Sequence, residues 1–71
     1  MTSKLLQDPD ALEAFEVLAA TEAGELVRWE ILGVLADRAD SVSVRELCAW
    51  AIPIQQRHVE DVRRGALQLA R

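Results

Sequence analysis

One cysteine, one histidine, one phenylalanine and no tyrosine leave this 71-residue chain short of the groups that usually staple or fill a small domain. Cys48 has no intrachain partner, so disulfide stapling is excluded and a cytosolic, reducing setting is the natural reading. Three glycines and two prolines are too few for a turn-rich β architecture or a low-complexity linker. No apolar run approaches the roughly 18 residues of a membrane span, so no membrane partner is expected. Residues 1–7 are too short for the apolar core of a secretory signal. A Gly-rich phosphate loop and a Gly-framed serine are also missing, and one His with one Cys gives no nucleophilic triad. Eight basic residues against twelve acidic ones leave a net charge of −4, which weighs against a nucleic-acid partner. The arginines Arg57, Arg63, Arg64 and Arg71 cluster in the C-terminal third, as expected of a solvated helix face.

What is present is helical. Hydrophobic residues make up 51 % of the chain, and Ala, Leu, Glu and Arg are abundant. Asp8 is a good N-cap, Pro9 fits the first helical position, and Asp10 and Glu13 favour the positive end of a helix. Leu12, Phe15, Leu18, Trp29, Leu32 and Ala36 then recur at helical spacing, with Glu22 and Glu25 in the middle of their stripe. The pattern predicts one helix over residues 9–39, with a break near Thr21–Gly24 as the alternative. Gly24 costs about 1 kcal/mol relative to alanine in mid-helix. A turn follows at 40–43, where Ser43 and Glu46 fit a capping box. A second helix is predicted over 44–70, with Leu47, Ala51, Val62, Ala66 and Leu69 as its apolar stripe and Gln55 and His58 at its centre. Pro53 is expected to kink it. Phe15, Trp29 and Trp50 read as packing residues, and Cys48 as a small buried apolar one. The expectation is a single all-α domain over residues 1–71, an antiparallel two-helix hairpin. A chain this short buries too little surface to be comfortable alone. It is therefore expected to dimerise into a four-helix bundle, making a homo-oligomer of two or more chains.

Four polar or aromatic residues, Glu22, Trp29, Gln55 and His58, sit on stripes that are otherwise apolar. Folding the hairpin at its midpoint brings Glu22 within about one helical turn of His58, so the group meets at one level. Buried polar groups need partners. A metal between the helices is one explanation, and a hydrogen-bonded layer is another. Gln55 reads as a hydrogen-bonding residue, since neutral amides bind transition metals weakly. Glu25 reads as an outer or solvated carboxylate, and Asp61 as a residue able to orient His58.

This arrangement resembles one half of a ferritin-like four-helix bundle, as in rubrerythrins and related di-iron carboxylate proteins. That half carries a Glu, an aromatic residue seven positions on, and an E-x-x-H on the next helix. Glu22 matches the first ligand, Trp29 the aromatic position (usually Tyr), and Gln55 with His58 the E-x-x-H pair. The resemblance covers residues 11–70. It implies a metal site of Glu22, His58, Gln55 and Glu25 at a dimer interface, taking iron or manganese, with zinc compatible with the same donors. A redox-active form would oxidise Fe(II). Gln55 departs from the family by replacing a bridging carboxylate. With Gln55, two chains offer two carboxylates from Glu22 where four would match two divalent cations, unless Glu25 turns inward.

Two functions from different classes follow. One is a small ferritin-like protein binding iron or another divalent metal between hairpins. The other is a non-enzymatic helical dimerisation or interaction module, in which the same layer fixes register. Whether the chain is an enzyme is left open by the residues. A helix-turn-helix reading, with Ile52-Pro53 as the turn before a recognition helix at Gln55–Leu67, lacks a turn glycine, wing strands and positive charge.

Overall fold

The computed structural model of the protein describes residues 9–71 and consists of two α-helices, α1 (Pro9–Arg38) and α2 (Val42–Ala70), folded back on each other. The described residues contain no strand. No helix among them is long and apolar enough to cross a membrane. The Asp8 cap lies outside the described residues. The molecule is a rod of about 50 × 15 × 15 Å with a radius of gyration of 15.9 Å. A globular chain of this length would have a radius near 11 Å.

Helix α1 runs without interruption through Thr21–Gly24. Thr21 Oγ1 donates to the Val17 carbonyl at 2.9 Å, which satisfies the hydroxyl inside the helix. Helix α2 is likewise continuous through Pro53, whose exposed ring has no N–H to offer the Ala49 carbonyl.

The connection is tighter than the sequence suggests. Ser41 N–H bonds the Ala36 carbonyl at 2.9 Å, and Asp40 N–H bonds the Asp37 carbonyl at 3.2 Å. These are the two bonds of a Schellman ending, with Asp40 in the left-handed position at φ 53°. Aspartate tolerates that conformation better than most residues with a Cβ. Ser41 therefore ends α1 and also stands at the N-cap of α2, with no side-chain capping bond. Ser43 and Glu46 lie inside the helix and do not form the expected capping box, because a cap residue must have non-helical backbone. Arg45 reaches back across the turn to Asp40 at 3.2 Å and Asp37 at 3.9 Å. Both acids are exposed, so these pairs contribute at most about 1 kcal/mol.

The seam between the helices keeps Phe15, Glu22, Trp29 and Ala36 of the stripe read from sequence and changes the positions between them. Stepping about 3.6 residues at a time from Phe15 lands near 19, 22, 26, 29 and 33. Ala19, Glu22, Leu26, Trp29 and Gly33 are half-buried, as are Ala11, Leu12, Phe15 and Glu25, while Leu18 and Leu32 are 42 % and 38 % exposed. The same step from Cys48 lands near 52, 55, 59, 62 and 66. Val59 thus turns inward and His58 is exposed, correcting its expected place at the centre of the stripe. Leu47 is 47 % exposed and Trp50 67 %, so Trp50 is not a packing residue within the chain.

Full burial is confined to small side chains near the turn. Ala36, Cys48 and Ala51 are the buried hydrophobic residues among those described, and Cys48 is buried as expected. Gly33 is half-buried beside them, and a Cβ there would make ordinary contact with Cys48 Cβ at 3.9 Å. At the open end Phe15 lies on Gly65: a Cβ at 65 would come within 2.8 Å of the ring. Gly65→Leu is therefore expected to push Phe15 from the seam and cost about 1–3 kcal/mol. A thermal melt by circular dichroism reads this directly, at about 4–8 °C per kcal/mol for a domain of this size. An unchanged midpoint would show that the ring moves aside freely.

Candidate functional site

At mid-length the seam changes from apolar to polar. Glu22 and Gln55 are both half-buried, and they meet. Gln55 Nε2 donates to Glu22 Oε2 at 2.6 Å and to the Glu22 main-chain carbonyl at 3.1 Å. One amide group thus uses both of its N–H bonds on a single residue of the opposite helix. The chemistry fixes the orientation of the amide: its own oxygen would repel both acceptors. A hydrogen bond to a charged acceptor contributes about 1.5–3 kcal/mol, more than a neutral one. No buried side-chain N or O among the described residues lacks a partner, so this layer is satisfied.

The other candidate ligands lie elsewhere. His58 is exposed. Glu25, half-buried at the edge of the seam, accepts a hydrogen bond from Arg28 Nη1 at 3.5 Å. Asp61 pairs with Arg64 at 3.7 Å rather than with His58. Trp29 is half-buried on the seam, one heptad after Glu22, as its spacing predicts. The expected co-location therefore holds for Glu22 and Gln55 within one chain, whereas His58 and Glu25 sit outside their contact.

This geometry bears on metal binding. Gln55 presents N–H groups, which carry no lone pair, to the carboxylate that would ligate. Among the described residues no group of three or more His, Cys, Asp or Glu is placed to hold a metal ion. The described residues of one chain do not bring together three such donors.

Two features were not read from the sequence. Arg45 joins the two ends of the turn; its signal was the acid pair Asp37 and Asp40 within one helical turn of the chain reversal. The second is the asymmetry of the two flanks of the seam. In an antiparallel pair, residues one step before seam positions fall on the same side of the hairpin on both helices. Leu18, Leu32, Leu47 and Trp50 each precede a seam residue, as do Thr21, Glu25, Arg28, His58 and Asp61, so one flank carries most of its large apolar residues toward the turn and charged ones at mid-length. Residues one step after seam positions line the opposite groove, which carries Glu30, Asp37 and Arg45.

No protein-family model, curated protein or solved structure matches the chain.

Proposed function

We propose that this protein is a non-enzymatic helical assembly module whose hairpin pairs with a second copy along its apolar flank to make a four-helix bundle. The observation carrying this reading is the imbalance of burial. Three small residues are buried, while Leu18, Leu32, Leu35, Leu47 and Trp50 stand 38–67 % exposed on one flank. Exposed large apolar residues gathered toward the turn in this way mark an interface. One long face of the rod, 50 by 15 Å, is about 750 Å², close to the roughly 800 Å² each partner buries in a standard interface. Two-fold pairing places the same flank on itself, which suits a surface with apolar residues on both helices at one level. Within each hairpin the Glu22–Gln55 contact fixes the register of α1 against α2, because a shift by one turn breaks both bonds. That role is the best attested one for a lone polar layer in an apolar seam.

One observation favours a second reading, the ferritin-like metal protein. Glu25 and His58 precede the seam residues Leu26 and Val59, so they ride on the apolar flank. Pairing of two hairpins would carry both into the interface, near the level of Glu22.

Solution mass and metal content on one sample, purified from iron-supplemented cells, separate the two. The expected result is a multimer whose melting temperature rises with protein concentration, unaffected by chelator and free of stoichiometric metal. Stoichiometric iron or manganese that disappears in Glu22→Ala would replace the assembly reading with the metal one. A monomer with a cooperative, concentration-independent melt would remove both.

A further inference from the structure

The flank proposed above to pair with a second copy is uneven along its length, and that unevenness restricts how two copies can lie together. Levels along the rod follow from contacts across the seam: Glu22 meets Gln55, a Cβ at Gly33 would touch Cys48, and Phe15 lies on Gly65. On that scale Leu32 shares a level with Leu47, Arg28 with Trp50, Glu25 with Ile54, and Leu18 with Asp61. At about 100° per residue, Leu18, Leu32, Leu47 and Ile54 stand about a quarter turn from the seam, where a second hairpin packs. Arg28 and Trp50 lie further round, at the rim. The exposed side chains Leu32, Leu47 and Trp50 are on the turn side of Glu25, and Asp61 is on its open-end side.

We infer that the two hairpins of the bundle lie side by side with their turns at the same end, α1 of each copy against α2 of the other. This rests on the self-association reading and adds the direction of the partner. A two-fold axis along the rod sets each level of α1 against the same level of α2 in the second copy. Leu32 of each chain then meets Leu47 of the other, and Arg28 comes within reach of the other chain's Trp50, a guanidinium beside an indole. Glu25 falls beside Ile54 and keeps Arg28 as its partner, while Asp61 falls beside Leu18 and keeps Arg64. At none of these levels does an acid face an acid, so like-charge contact is avoided. The opposite direction fares worse. With the rods fully overlapped and the turns at opposite ends, each helix faces its own copy. Glu25 then comes within a turn of the second Glu25, and Asp61 lies against Trp50. Sliding the rods until only the turn ends overlap restores the apolar match but uses less than half of the 50 Å length. That contact is well under the roughly 800 Å² each partner buries in a standard interface.

Distances between spin labels on the two copies test this, with one label per chain at Arg38→Cys near the turn or at Gln68→Cys near the open end. Both positions are exposed, so the variants keep the hairpin. Wild-type protein, whose Cys48 is buried, should take no label. By double electron–electron resonance, the expected separation at each position is no more than two widths of the 15 Å rod. Full overlap with opposite turns would stretch both pairs toward the 50 Å length of the rod. Overlap of the turn ends alone would leave the Arg38→Cys pair close and carry the Gln68→Cys pair beyond that length. Either of these results, at a mass of two chains, would overturn the inference and leave the bundle standing. A monomeric wild type would remove the inference together with the assembly reading.

Discussion

Gln55→Glu is expected to destabilise the hairpin by about 2–4 kcal/mol at neutral pH and to regain most of that loss as the pH falls toward 5. The substitution replaces an N–H donor 2.6 Å from Glu22 Oε2 with a second carboxylate. Lost donation leaves a half-buried carboxylate short of a partner, at about 1–3 kcal/mol. Repulsion between two charges about 4 Å apart adds as much as about 4 kcal/mol at an effective dielectric of 20, less where water enters. Like charges raise the pKa at which such a pair takes up its first proton above that in the unfolded chain. The folded variant then binds more protons than the unfolded one, so its stability rises as pH falls through the raised value. Wild type has no such pair at this level and should show no matching recovery. Urea denaturation of both proteins at pH 7 and pH 5 measures the difference directly. The same variant also rebuilds the E-x-x-H pattern. If manganese or iron restores its melting temperature at pH 7 in a Glu22-dependent way, the layer is a metal site one substitution from function. Equal stability of variant and wild type at pH 7 would show that the Gln55–Glu22 bond does not hold the seam.

Trp50→Glu gives the largest effect expected of any surface substitution. Within one chain Trp50 is 67 % exposed, and replacing an exposed residue on a helix ordinarily changes stability by less than about 0.5 kcal/mol. At the centre of an interface, tryptophan is among the residues whose loss costs most, about 2–4 kcal/mol per site. A bundle of two chains places one such site on each. The predicted outcome is dissociation with loss of helical signal at micromolar concentration, because the hairpin alone has little core to fall back on. Mass and circular dichroism over a dilution series report both events. Wild-type helicity and mass in the variant would mean that this flank faces solvent.

Much of the architecture can be read from the chain itself. Two long helices follow from composition, from Pro9 at a first-turn position and from apolar recurrence at helical spacing. The reversal near 40 follows from Asp40-Ser41, and antiparallel packing from how short that reversal is. Glu22 and Gln55, 33 residues apart, meet because equal lengths on either side of a tight turn bring them to the same level. Rise per residue is nearly constant, so level along a hairpin survives small errors in helix boundaries.

The side of the helix that faces its neighbour is less well specified, and there the coordinates decided. The expected and observed seams share Phe15, Glu22, Trp29 and Ala36, seven residues apart, and differ only in the position used between them. Both choices alternate steps of three and four, so periodicity does not separate them. The packed pair turned Ala19 inward in place of Leu18, Gly33 in place of Leu32, and Val59 in place of His58. Sequence thus determined which residues share a level of the rod, since level depends only on counting. Which of two neighbouring positions in each heptad faces the other helix depends on how the two surfaces fit, and only the packed pair of helices fixes that.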